Sequence, residues 1–437
     1  MTAPARHSGD RAAPRIGVAH RVALALVWLT VASGAIVFTE PAPFDIAAMG
    51  LLILLPAVGL LRATPTLIAY MSAMLVPVAC AFIATLMAIG PERAITHTTV
   101  TLFLVVVSLS LSAFVVASPV RHARLIAGGA VAAGLVASIT GLVGYLNLVP
   151  GAYDLFTLYG RVSGTFKDPN VFGASLIFPT VYLMHVVLTG SPRRAWLAAF
   201  GVALLSLAVL LSFSRGAWFG LAMATMIYAY FSFVTARDNV HRLRILGSIG
   251  GALVVCSMLL AIALQFDAVA SLLNERATLT QSYDEGPEGR FGGQQKAKQL
   301  ILAHPFGLGA QQFDGYYHIE EAHNVYLSMF MNAGWLGGLL FAVTVAATCL
   351  FGARHALKRT ATQGIFIVAM AAFVSHALEG FVIDLDHWRH FHLLMALVWG
   401  LMLGDRLPTR ALAHRVGAQR IFAVASLRSV ATGRATS

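Results

Sequence analysis

Runs of apolar residues long enough to cross, or nearly cross, a bilayer recur at about 22–38, 44–61, 67–90, 97–118, 125–148, 170–189, 195–213, 216–234, 245–264, 325–351, 363–383 and 388–404. The pattern predicts an all-α polytopic membrane protein with about 12 transmembrane helices. It lapses twice, near 149–169 and over the long segment before residue 325, and loops of that length usually have a function. Within the longer lapse, Arg290 to Ala303 sets Ala297, Leu300 and Ile301 on one stripe, and the Pro305/Gly307/Gly309 cluster ends it. This reads as a short amphipathic helix at the membrane surface. The expected division is a basic N-terminus over 1–21, nine helices over 22–264, the long loop over 265–324, three helices over 325–404 and a basic tail over 405–437.

Composition supports that reading. Of the 437 residues 58% are hydrophobic and 11% charged, too apolar for an ordinary soluble enzyme, and a mean hydropathy of +0.76 needs apolar spans throughout. The net charge of +11 would suggest nucleic acid in a soluble chain, but membrane proteins gather Lys and Arg on the cytoplasmic side, so no nucleic-acid partner is expected. With alternate connections assigned to opposite sides, 21 of the 30 basic residues fall on one side, including both termini. The other side carries Arg93, Arg161, Lys167, Arg215, Arg276, Arg290, Lys296, Lys298 and Arg389, together with 16 of the 19 acidic residues. Both termini are therefore expected in the cytoplasm and the two long loops outside it. The basic stretch before the first span lacks a convincing cleavage site, so that span is read as retained. Cys80, Cys256 and Cys349 all lie in apolar runs and offer neither a disulfide framework nor a thiolate metal site. The middles of the spans lack Asp, Glu, Lys and Arg, which argues against an ion-coupled transporter and moves any chemistry to the outer face.

Three constellations stand out there. Arg215, in Leu211-Ser-Phe-Ser-Arg-Gly-Ala-Trp218, opens a span at the positive end of the helix dipole. A cation there is unfavourable unless an anion docks against it, the competing reading being a snorkelling arginine. Arg290 follows the glycine-rich Glu285-Gly-Pro-Glu-Gly289 and, alone, is indistinguishable from solvated surface. His323 and Asn324 stand where the long loop meets the tenth span, with Gly334 and Gly337 further along. A helical spacing of eleven residues would set Gly334 on the face of His323, and Gly334 with Gly338 would admit a close-packed neighbour. An imidazole facing the arginine loop has the titration range of a general base. Lys167, in Ser163-Gly-Thr-Phe-Lys-Asp-Pro-Asn170, is a further candidate anion contact. Asp384-Leu-Asp-His-Trp-Arg-His390 enters the last span; carboxylates at i and i+2 are a weak ligand set, so a solvated cap with Arg389 paired to an Asp is expected and no metal.

Arg215 after an apolar span, an arginine in the long outer loop, and His323-Asn324 followed by Gly334 and Gly337 together resemble the O-antigen ligase and polymerase superfamily. The likeness runs through about residue 404 and includes the Phe-Lys-Asp-Pro-Asn and Asp-His-Trp-Arg-His stretches. It implies a C-type membrane glycosyltransferase of the bacterial inner membrane, with a periplasmic active site and neither cofactor nor metal. The implied donor is undecaprenyl-pyrophosphate-linked glycan and the implied acceptor lipid A-core. By similarity His323 is catalytic and Arg215 and Arg290 bind pyrophosphate, with Lys167, Asn324 and Arg389 as candidate supports. Ligation to lipid A-core and polymerisation of repeat units share this donor chemistry and stay open; a transporter is the remaining alternative.

Overall fold

The computed structural model describes residues 17–265 and 286–407, so the expectations for Arg276 and for most of both terminal segments lie outside the described residues. Each of the twelve apolar windows contains helix. The first run comprises α1 (Val18–Ser33), α2 (Pro43–Ala57), α3 (Pro65–Ala84), α4 (Pro91–Ala117) and α5 (Pro119–Tyr145). After a short α6 (Ala152–Phe156) and a hairpin of β1 (Thr157–Leu158) and β2 (Arg161–Val162) come α7 (Pro169–Ser175), α8 (Ile177–Thr189), α9 (Pro192–Leu211), α10 (Arg215–Thr235) and α11 (Asn239–Ala263). The outer loop supplies α12 (Arg290–Ala303) and the brief α13 (Phe313–Tyr316), and the chain closes with α14 (Val325–Ala356), α15 (Gln363–Glu379) and α16 (Arg389–Gly404). Among the described residues seven helical stretches are long and apolar enough to cross a membrane, the segment 169–189 counting as one; α1, α2 and α15 are shorter apolar helices.

Local chemistry explains where these helices start. Proline stands at the first position of α2, α3, α4, α5, α7 and α9, where its missing N–H costs nothing. Thr64, Asp168, Ser214, Asp238 and Asn324 each accept hydrogen bonds from the backbone of the turn that follows. The core is built around α16, in which every residue from Phe391 to Gly404 is buried. It lies along α4 with Gly400 against Val115 and the Ser112 carbonyl, and Trp399 donates to Thr348 of α14 while stacking on Tyr70 of α3. An apolar helix buried on all sides sits at the centre of a bundle. The other close pairs are α3 with α14, α10 with α15, α8 with α9 and α1 with α5.

The apolar stripe of α12 packs within the protein: Ala297 is fully buried among Leu308, Phe313, Ala322 and Met331, with Leu300 and Ile301 packed against them, and Trp335 donates to the Ile301 carbonyl. Burial against α14 satisfies the stripe. One expectation is corrected: His323 and Gly334 do not share a face of one continuous helix. His323 precedes the helix, which Asn324 caps, and Gly334 breaks it with φ 69° and ψ −174°. The glycine instead admits the loop after α12, since a Cβ there would meet the Pro305 carbonyl oxygen at 2.6 Å. Leu308 N–H donates to Met331 O and Trp335 N–H to Pro305 O across that contact. Gly337 performs the close approach to a neighbouring helix, at Cys80 and Pro77 of α3.

Candidate functional site

Four chain segments converge on the turn before α14. His323 sits there with φ 47°, a left-handed conformation that a non-glycine residue adopts at a cost of about 1–3 kcal/mol and that persists only where its surroundings impose it. Those surroundings are specific. Asn324 Oδ1 accepts from the N–H groups of Tyr326 and Leu327, and its Nδ2 donates to Phe381 O just beyond α15. Val325 N–H donates to Gly380 O, and Ser328 Oγ donates to Asp384 Oδ1 at 2.6 Å. The His323 and Asn324 N–H groups also interact favourably with the Asp384 carboxylate, although burial dominates and lifts that carboxyl to about 6. Asn324 and Asp384 thus hold the turn that presents the imidazole.

The end of α15 continues to Arg215. Glu379 is buried, and its carboxylate lies against the first turn of α10, where a Cβ on Gly216 would meet Oε1 at 2.7 Å. Arg215 is the first residue of that helix, capped by Ser214 and preceded by Phe213 in a second left-handed turn, φ 48°. From the other direction Arg161 Nε donates to Ser212 O at 2.8 Å and its Nη2 to Asn170 Oδ1 at 2.7 Å. Asn170 belongs to α7, and that helix's cap, Asp168, acts electrostatically on His323. The starts of α7, α10 and α14 are therefore tied into one ring through Arg161 and the 379–382 turn.

The outer loop closes over this ring. Gln294, one turn along α12 from Arg290, reaches the His323 carbonyl, and His323 Nε2 lies 3.5 Å from Glu320 Oε2. Burial, then the Arg290 guanidinium, hold the His323 imidazole below its ordinary range, against the opposite pull of Glu320 and Asp168. Arg290 and His323, 33 residues apart in sequence, thus share one electrostatic environment. Nearby, burial and the charges of Asp314 and Asp384 raise the Glu321 carboxyl well above the usual range.

A sequence profile of the family described as O-Antigen ligase matches residues 200–342. No curated protein matches the chain significantly. The matched stretch holds Arg215, Arg290, His323 and Asn324, while Arg161, Asp168, Glu379 and Asp384 reach the same ring from outside it.

The candidate supports have visible duties. Lys167 Nζ lies 3.3 Å from Glu40, both largely exposed, and Asn324 is a helix cap. Arg389 pairs with an aspartate as expected, but the partner is Asp45 of α2, through two hydrogen bonds of 2.8 and 2.6 Å. The 384–388 stretch is not a solvated cap: Leu385, Asp386 and Trp388 are buried, because the loop folds inward between α4 and α16. Arg161 belongs to the outer-side basic residues, and the structure adds it to the ring. Its only sequence signal is an arginine two residues before the Ser163-Gly-Thr-Phe-Lys-Asp-Pro-Asn170 turn.

Proposed function

We propose that this protein is an O-antigen ligase of the C-type glycosyltransferase class, moving glycan from undecaprenyl pyrophosphate to lipid A-core on the periplasmic face of the bacterial inner membrane. The observation that carries the reading is the convergence of Arg290 and the helix start at Arg215 on the ring that presents His323. His323 removes the proton from the acceptor hydroxyl as its oxygen attacks the anomeric carbon. The bond from that carbon to the pyrophosphate oxygen breaks, and the electron pair leaves with undecaprenyl pyrophosphate. A single displacement of this kind inverts the anomeric centre. Arg215 and Arg290 meet the charge growing on the leaving group, and the amide groups of the first turn of α10 add to it. Two guanidinium groups meeting that charge would need no metal on the reacting atoms. The prenyl chain stays in lipid between the helices.

The decisive experiment is the surface glycan of a deletion strain. Absence of all polymer from lipid A-core, restored by the wild-type gene, supports ligation; attachment of single repeats would assign the protein to polymerisation instead. In the reconstituted reaction Arg215→Lys and Arg290→Lys keep the charge but lose the fork, and each should lower turnover about 10–100-fold, as loss of a charge-assisted hydrogen bond of about 1.5–3 kcal/mol requires. Full activity of both would remove the arginines from pyrophosphate recognition.

A further inference from the structure

A second cluster of chemistry-bearing side chains lies behind the His323 turn and has no part in the transfer described above. His97 of α4, Asp386 and His387 bring three ligand atoms within 4.8 Å of one another, His97 Nε2 being 3.6 Å from Asp386 Oδ2. The two imidazole rings lie 3.7 Å apart, centre to centre. Bonds of about 2.0–2.1 Å to a tetrahedral ion put ligand atoms about 3.4 Å apart, so the His97–Asp386 pair is already close to that spacing and the third ligand needs a shift of about 1 Å.

The surroundings prepare these groups as ligands. Thr101 Oγ1 donates to the His97 carbonyl, so at 2.8 Å from His387 Nε2 it accepts, and the proton of His387 is on Nε2. Nδ1 of His387 is left with its lone pair. Fixing one ring nitrogen by a hydrogen bond so that the other can ligate is the usual outer arrangement of a metal-binding histidine. The Asp386 backbone is fixed as well, because His392 Nε2 donates to its carbonyl at 2.7 Å and Ser108 Oγ holds the His392 carbonyl. Asp386 is 8% exposed, and among the described residues its ion-pair contact is an imidazole. The arginine three residues on, Arg389, is engaged by Asp45. A buried carboxylate among imidazoles is a place for a cation, and two imidazoles with one carboxylate select a first-row transition ion over Mg²⁺ or Ca²⁺.

We propose that His97, Asp386 and His387 bind one divalent transition-metal ion, Zn²⁺ by ligand type, which fastens the start of α4 to the loop carrying Asp384. The ion sits behind the machinery, on the segment whose Asp384 holds the His323 turn, and takes no part in bond making.

The test is metal binding by the full-length protein in nanodiscs after chelator treatment, read by calorimetry with ZnCl₂ and MgCl₂ and by the visible spectrum of the Co²⁺ form. One Zn²⁺ per chain, tighter than about 10 µM, with no Mg²⁺ binding and a four-coordinate Co²⁺ spectrum, is the expected result. His97→Ala and His387→Ala should abolish it, and His304→Ala should leave it intact. Thr101→Val alters no ligand and should weaken Zn²⁺ about 10–100-fold by releasing the His387 ring. That variant decides the matter if either ligand variant fails to fold. Absence of saturable Zn²⁺ binding to the wild-type chain, or affinity unchanged in Thr101→Val and Asp386→Asn, overturns the proposal. Because the readout is binding, failure here leaves the glycosyl-transfer reading standing, and the reverse.

Discussion

At the scale of single residues, the imidazole of His323 is defined as much by its backbone as by its ring. A left-handed turn held by Asn324 and Asp384 fixes where Nε2 points, and the neighbouring Arg290 favours the neutral form that a base needs. His323→Ala should insert and fold, since the residue lies at the edge of the bundle, while transfer falls about 10²–10⁴-fold. The pH profile tests the same assignment. A base must be unprotonated, and this imidazole is shifted below the ordinary value of about 6.5, so turnover should be flat through neutral pH and decline only on the acid side of about 6.5. Replacing Arg290 with Gln removes one cause of the shift, and the acid limb should move to higher pH. A limb that stays put in that variant, or one already falling at pH 7.5 in the wild type, would separate the titration from His323.

At the scale of elements, the break in α14 at Gly334 seats the α12 loop, and with it Arg290, over His323. Its conformation is open in practice to glycine alone, and a Cβ would also strike the Pro305 carbonyl. Gly334→Ala should therefore cost roughly 2–4 kcal/mol, adding backbone strain to overpacking, and lower activity together with the melting temperature in detergent. Gly50→Ala on α2, where a Cβ meets nothing within 4 Å, is the matched control and should stay within about 0.5 kcal/mol of wild type. Equal melting temperatures for the two variants would mean that the 305–307 docking carries no energy. The same contact explains why a reading by periodicity misplaced Gly334: eleven residues share a face only if the helix between them is unbroken, and a carbonyl approaching from elsewhere in the chain broke it.

At the scale of the whole molecule, the charge tally and the contacts group the same residues. Arg93 with Asp314, Lys167 with Glu40, Arg389 with Asp45 and His323 with Glu320 are all pairs assigned to one side. At the far end of α14 from His323, His355 meets Asp405, which also accepts from Thr362. Single cysteines placed in intact cells, in a background lacking the native ones, should react with an impermeant reagent at residue 300 and stay protected at 240; the opposite pattern would invert the topology. The twelve helical windows and the sites of Arg215 and His323 at helix starts could be read from sequence, because hydrophobic run length and capping chemistry act within a few residues. The inward fold of 384–388, the partner of Arg389, and the convergence of Arg161, Asp168 and Glu379 on one ring could not. Those depend on which helix ends meet, and that is decided by packing around α16, where Gly400 and Gly404 let α4 approach and every side must be filled at once.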